Sequence, residues 1–154
     1  MYARILVPVD GSPTSKLGVA EAIKLSALTG GRIKFLHAID MLSMAAVPEF
    51  GMTATPQLLD MLREGGLAIL AAAQETAAKS GVASDTVLLD NLSGRVCDLV
   101  IDEVKKWDAD IVVIGTHGRR GVGRLLLGSD AEQIVRLSPV PVLLVRAREA
   151  AQAA

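Results

Sequence analysis

Short apolar, β-rich runs alternate along this chain with longer stretches whose apolar residues recur at helical spacing. The runs are Arg4–Val9, Ile33–Ile39, Val82–Leu89, Ile111–Ile114 and Val140–Val145. Each is too short for a helix and is bounded by Gly, Pro, Asp or Ser, as buried strands are. After the first run, Ser12-Pro13 reads as a helix cap followed by proline at the first helical position. Leu17, Ala20, Ile23, Ala27 and Leu28 then mark an expected buried face, and Gly30-Gly31 ends the helix. A second helix is predicted from Pro56 to about Ser80, with Leu58, Leu62, Ile69, Ala73 and Thr76 inward. Gly65-Gly66 interrupts it, each glycine costing about 1 kcal/mol against alanine, so the pair predicts a kink or a close contact. Ser93 is expected to cap a third helix, with Val96, Leu99, Val100 and Val104 inward, and Ser129–Leu137 forms a fourth. Residues 40–55 have no period and carry Met41, Met44 and Met52, which suits a flexible lid.

The resulting order is βαβαβαβαβ. Right-handed crossovers turn it into an α/β fold, a doubly wound five-stranded parallel sheet. With the first strand central, flanked by the second and the fourth, the order is 3-2-1-4-5. The ligand crevice of such a sheet lies at the carboxyl ends of the strands where the order reverses. Two connections meet there: Asp10-Gly11 after the first strand, and the stretch after Gly115. Residues 1–148 read as one domain and 149–154 as a frayed tail.

Composition narrows the class. Hydrophobic residues make up 51% of the 154 and aromatics 3%, so the core is aliphatic. A formal net charge of -1 removes any bulk electrostatic case for nucleic acid or an anionic membrane. No apolar run reaches membrane-spanning length, and MYARILVPVDGS is a strand pattern, not a signal peptide. A lone Cys97 excludes an internal disulfide framework and fits a reducing, cytoplasmic setting. No Ser/His/Asp, Cys/His or zinc-ligand constellation has workable spacing. Cys97 reads as a small hydrophobe, His37 as a packed histidine, and Asp98, Asp102 and Glu103 as a solvated helix face.

The chemistry concentrates in residues 111–130, IVVIGTHGRRGVGRLLLGSD. Gly115, Gly118, Gly121, Gly123 and Gly128 permit positive φ and close backbone approach. His117, Arg119, Arg120 and Arg124 supply donors, and Ser129 stands at a helix start, where free N–H groups and the dipole favour an anion. Asp130 and Glu132 fall in that first turn, and Ser129-x-x-Glu132 reads as a capping box. Asp10 has two readings, a ribose acceptor or a turn residue stabilising Gly11. The spacing Gly115-x2-Gly118-x9-Gly128-Ser129 is neither a Walker A loop nor the dinucleotide fingerprint.

That segment, with the opening ILVPVDGS and the closing SPVPVLLVR, resembles the universal stress protein family, in its ATP-binding subclass, over nearly the whole chain. The resemblance implies an adenine-nucleotide alpha-hydrolase-like sheet that binds ATP, usually with Mg²⁺. Pro8, Val9 and Asp10 match positions near adenine and ribose, and Ala38 and Ile39 the adenine wall. Gly115, Gly118, Gly128 and Ser129 match ribose and phosphate positions, His117 and Arg119 the covering loop, and Asp130 stands where relatives often carry an apolar residue. It also implies a homodimer through the last strand, Val140–Val145, where Pro141 suits a sheet edge. The implied role is nucleotide-linked stress response with at most slow ATP hydrolysis. Alternatives are a signalling or interaction protein of the same fold that binds no nucleotide, and a hydrolase.

Overall fold

The computed structural model describes residues 2–40, 55–91, 94–116 and 128–146. The elements are β1 (Arg4–Pro8), α1 (Pro13–Thr29), β2 (Arg32–Asp40), α2 (Pro56–Lys79), β3 (Ser84–Asn91), α3 (Val96–Trp107), β4 (Ile111–Gly115), α4 (Ser129–Leu137) and β5 (Val142–Val145). The five strands form one sheet in the predicted order β3-β2-β1-β4-β5. All four pairings are parallel.

Alternation along the strands sorts the core into two layers. Ile5, Val7, Val9, Ile33, Phe35, Ile111 and Val113 pack with Val19, Ala22 and Ile23 of α1 and Leu70, Ala73 and Ala77 of α2. Leu6, Leu36, Val112 and Ile114 pack with Cys97, Val100 and Val104 of α3 and Ala131 and Ile134 of α4. Helices therefore cover both faces, which is why the central strands read as continuous apolar runs.

The buried face of α1 differs from the expected one. Ser15, Gly18, Val19, Ala22, Ile23 and Ser26 face inward, whereas Leu17 is 40% and Leu28 84% exposed. Ala20 and Ala27 are also exposed. The helix lies so close to the sheet that small residues occupy the contact. In α2, Gly66, Leu70, Ala73 and Ala77 are buried. Leu58, Leu62 and Ile69 are half-buried, and Thr76 faces out, its hydroxyl turned back to the Ala72 carbonyl.

Helix ends account for the displaced boundaries. The backbone N–H of Val82 bonds to the Ala77 carbonyl and Gly81 has φ +70°. Val82 thus belongs to the turn closing α2, and β3 starts two residues later than predicted. The cap position of α3 is Arg95, with no side-chain cap bond, not Ser93, which lies outside the described residues. Before β5, Val140 is tied to the Ser138 hydroxyl through both its N–H and its carbonyl, so the strand begins at Val142. At the opposite end of the sheet, one carboxylate oxygen of Asp110 accepts the N–H groups of Ala3 and Arg4 at 2.9 and 2.8 Å.

One expectation about charge is overturned. Glu103 is not on a solvated face: it is 4% exposed, and its carboxylate takes the Lys34 ammonium at 2.9 Å. Lys34 also stands 4.7 Å from the centre of the Trp107 ring. The β2 side chains on this face alternate Lys34, Leu36, Ala38, and the lysine needs a buried partner from α3.

Candidate functional site

The crevice opens where β1 and β4 part, and each wall follows from local chemistry. Val9 extends the β1–β2 ladder by one rung, its N–H donating to the Leu36 carbonyl at 2.8 Å. Asp10 then turns the chain. Its Oδ1 accepts the Ser12 N–H at 2.9 Å, and its own N–H donates to the Ser15 hydroxyl at 3.2 Å. This is an Asx turn, so the turn role of Asp10 is real. Gly11 between them has φ +80°. Ser12 caps α1, its hydroxyl accepting the Ser15 N–H, so the predicted cap stands.

Thr116 forms the opposite wall. It is 4% exposed, its N–H donates to the Val145 carbonyl at 3.0 Å, and its own carbonyl accepts the Gly128 N–H at 2.9 Å. The ends of β4 and β5 and the start of α4 are thereby joined at one residue. The same bond brings the two stems of segment 117–127 together. His117, Gly118 and Arg119, with Arg120 and Arg124, lie outside the described residues, as do Met41, Met44 and Met52.

Gly128 occupies the cap position of α4, with φ -59°, and, being glycine, makes no side-chain cap bond. The predicted capping box is therefore absent. Ser129 is the first helical residue rather than the cap, and Glu132 pairs with Arg136 at 3.2 Å. Neither Gly115 nor Gly128 has positive φ; among the described residues that conformation belongs to Gly11, Gly30, Gly81 and Asp108. What Gly115 supplies is room. A Cβ there would lie 2.7 Å from the Thr14 carbonyl group and 3.1 Å from the Ser15 nitrogen.

On the β2 side, Ile39 is buried and Ala38 half-buried beside the end of β1. His37, 6% exposed, is packed as expected, with Nδ1 2.7 Å from the Val9 carbonyl oxygen. Cys97 lies beneath the α3 start. Burial pushes its thiol pKa up, and the Asp98 and Asp130 carboxylates add to this while Arg95 opposes it. It is a packed hydrophobe, not a poised nucleophile.

The structure thus brings Pro8, Val9, Asp10, Ala38, Ile39, Gly115, Gly128, Ser129 and Asp130 to one end of the sheet. Thr116, Ser15 and Thr14 were not anticipated. Their signal was weak: Thr14 and Ser15 sit in the first turn of α1, bonded to Ser12 and Asp10 close by in sequence, and their backbone approach to Gly115 leaves no local mark. The arrangement offers an uncapped helix start, a polar turn and an apolar wall. It presents no nucleophile–base pair among the described residues, nor a group of three His, Cys, Asp or Glu that could hold a metal. No helix among them is long and apolar enough to cross a membrane.

Comparison with known proteins gives the family. The sequence profile of the universal stress protein family matches residues 1–146. A universal stress protein from Thermus aquaticus is 33% identical over 147 residues, covering 95% of this chain and 100% of that one. The crystal structure of a universal stress protein family member from Burkholderia pseudomallei is 28% identical, with a TM-score of 0.76 over 95% of this chain and 97% of its own. A universal stress protein from Archaeoglobus fulgidus, solved in complex with dAMP, shares the fold at 22% identity and a TM-score of 0.67, covering 94% of this chain and 98% of that one. With its sheet order, its glycine spacing and a profile match over nearly its whole length, the chain belongs to the universal stress protein family.

Proposed function

We propose that this protein binds ATP with Mg²⁺ in the crevice between the ends of β1 and β4. It then acts as a nucleotide-linked stress-response module with at most slow hydrolysis. One observation carries the reading: the cap residue of α4 is Gly128, which has no side chain to take the first helical N–H groups, and its own N–H is bonded to the Thr116 carbonyl. An uncapped helix start leaves its first backbone donors to an anion, and the dipole favours negative charge there. The dAMP complex of the A. fulgidus relative supports an adenine nucleotide as the ligand class. Asp10 and Ser15 suit a ribose, and Ala38, Ile39 and Val9 an adenine. Mg²⁺ in such a site rides on the phosphates with one or two carboxylates, and Asp130 is the nearby candidate.

The chemistry supplied is binding and orientation. Turnover, on this reading, stays far below the usual enzyme range of about 10 s⁻¹. The β5 edge, with Leu143 and Leu144 each 36% exposed, suits pairing with a second copy of the chain.

Thermal unfolding with Mg·ATP tests the proposal. At a ligand concentration about a hundredfold above Kd, stability rises by about 2.7 kcal/mol. Gly118→Val with Gly128→Val abolishes the rise by blocking backbone approach. An unchanged midpoint at millimolar Mg·ATP, with no nucleotide retained on purification, removes nucleotide binding and favours an interaction module of the same fold.

A further inference from the structure

The two halves of α2 are held differently. From Gly66 onward the helix is rooted in the core, with Gly66, Leu70, Ala73 and Ala77 buried. Among residues 56–65 none is buried: Leu58, Leu59 and Leu62 are half-covered and the others are exposed. The change falls at Gly65-Gly66. Gly66 is pressed onto the sheet, where a Cβ would fall 2.7 Å from both His37 Cδ2 and Leu88 Cδ1. A Cβ on Gly65 would meet nothing within 4 Å. One glycine pins the helix, and both weaken it at the same place.

The first half overhangs the sheet. At a rise of about 1.5 Å per helical residue, Gly66 back to Pro56 is about 15 Å. At about 3.3 Å per strand residue, His37 to the end of β2 at Asp40 is about 10 Å. The first turn of α2 therefore stands beyond the strand end, and Ile39, the next residue after His37 on this face of β2 and 4% exposed, lies below. At its base, the Ile69 side chain comes within 3.2 Å of a Cβ built on Gly11 in the turn after β1. The overhang keeps its helical shape at the outer end, where the Thr55 hydroxyl accepts the Leu58 N–H and Pro56 opens the helix.

One guanidinium ties this overhang to β3. Arg63 places Nε and Nη2 each 2.7 Å from Asp90 Oδ2, while Nη1 stands 3.4 Å from Asp60 on the helix itself. Asp90, ahead of Asp60, raises the Arg63 pKa above its ordinary value. Two carboxylates drawn to one cation also repel each other. That repulsion exists only while the overhang is docked, and Asp60 travels with Arg63 when it leaves. We propose that residues 56–65 form an arm that swings about Gly65-Gly66 and governs access to the β2 side of the crevice, with Arg63 and Asp90 as its latch and Asp60 as the group that opposes it.

Amide hydrogen exchange on the whole chain at low salt tests this in the wild type, Asp90→Asn, Asp60→Asn and Gly65→Ala. The amides of residues 60–69 bond to carbonyls of the arm, so they exchange as one block, faster than those of 70–77. Asp90→Asn speeds the block by up to about fivefold, the upper range for an exposed pair. Asp60→Asn slows it, and Gly65→Ala slows it about fivefold by restoring helix propensity. Residues 70–77 do not respond. Near 1 M salt, where charges are screened beyond about 3 Å, both charge effects disappear. The thiol of Ile39→Cys reacts with a maleimide in step with the block, while Cys97, 0% exposed, lags behind. Protection that rises evenly from residue 60 to 77 is end fraying and overturns the arm. Asp60→Asn speeding the block as Asp90→Asn does shows that both carboxylates only support the helix, and overturns the latch. Labelling of Ile39→Cys that ignores both substitutions overturns the access role.

Discussion

Gly115 at the end of β4 and Thr14 at the start of α1 are in backbone contact. A Cβ on Gly115 would stand 2.7 Å from the carbonyl carbon and oxygen of Thr14. Backbone on both sides cannot swing away as a side chain does. Gly115→Ala therefore destabilises the fold by about 1–3 kcal/mol, read as a lower midpoint in urea. Gly65→Ala is the control of opposite sign. A Cβ there meets nothing within 4 Å, and alanine in an exposed helix gains up to about 1 kcal/mol.

Glu103→Ala takes the carboxylate from Lys34, whose side chain is only 17% exposed. Losing one partner of a buried pair costs about 3–5 kcal/mol. Lys34→Met with Glu103→Leu removes both charges and recovers much of that loss. A double-mutant cycle in denaturant measures the coupling, and additive losses would show that the pair contributes nothing as a pair.

Asp110→Ala removes an acceptor shared by the Ala3 and Arg4 N–H groups. Hydrogen bonds to a charged group contribute about 1.5–3 kcal/mol each. The expected result is faster amide exchange at Ala3 and Arg4 with little change at the crevice. Unchanged exchange at those two amides would rule out the clasp.

Burial raises the Cys97 thiol pKa, so the folded protein holds this proton more tightly than the unfolded chain. Its contribution to stability is full below the ordinary thiol value of about 8.5. It declines as pH rises above that value towards the folded one. Cys97→Ala flattens this alkaline decline. Alkylation at pH 8 is slow in the native protein and fast in denaturant; equal rates would contradict the burial.

Leu143 and Leu144 of β5 project to opposite faces of an edge strand and are each 36% exposed. If a second copy covers that edge, Leu144→Arg shifts the protein to monomer in light scattering. A wild type that is monomeric at every concentration removes the pairing.

The sequence alone determined the order of elements, the parallel sheet and the end of the sheet where the candidate residues gather. These follow from local rules: apolar period, proline and serine at the start of α1, glycine at its end. The strand order followed because right-handed crossovers leave few alternatives. Most nominated residues at Asp10, Ala38, Gly115 and Gly128 come together for the same reason. Asp10, Ala38 and Gly115 lie at the carboxyl ends of strands, which topology gathers, and Gly128, at the cap of α4, is joined to them through Thr116.

The tertiary structure decided what each residue does there. The inward face of α1 was misread because apolar residues were assumed to be buried, whereas closeness to the sheet selects Gly18, Ala22 and Ser26. Glu103 is buried because Lys34, 69 positions away in sequence, needs it. Gly128 rather than Ser129 takes the cap position of α4, its N–H held by the Thr116 carbonyl. Gly115 is glycine for a neighbouring helix, Gly66 for the His37 and Leu88 side chains beneath it. Periodicity records which residues avoid water, but it carries no record of how closely two backbones approach or which distant group holds a polar atom. Those distances settle packing and hydrogen bonding, and they exist only once the strands are side by side.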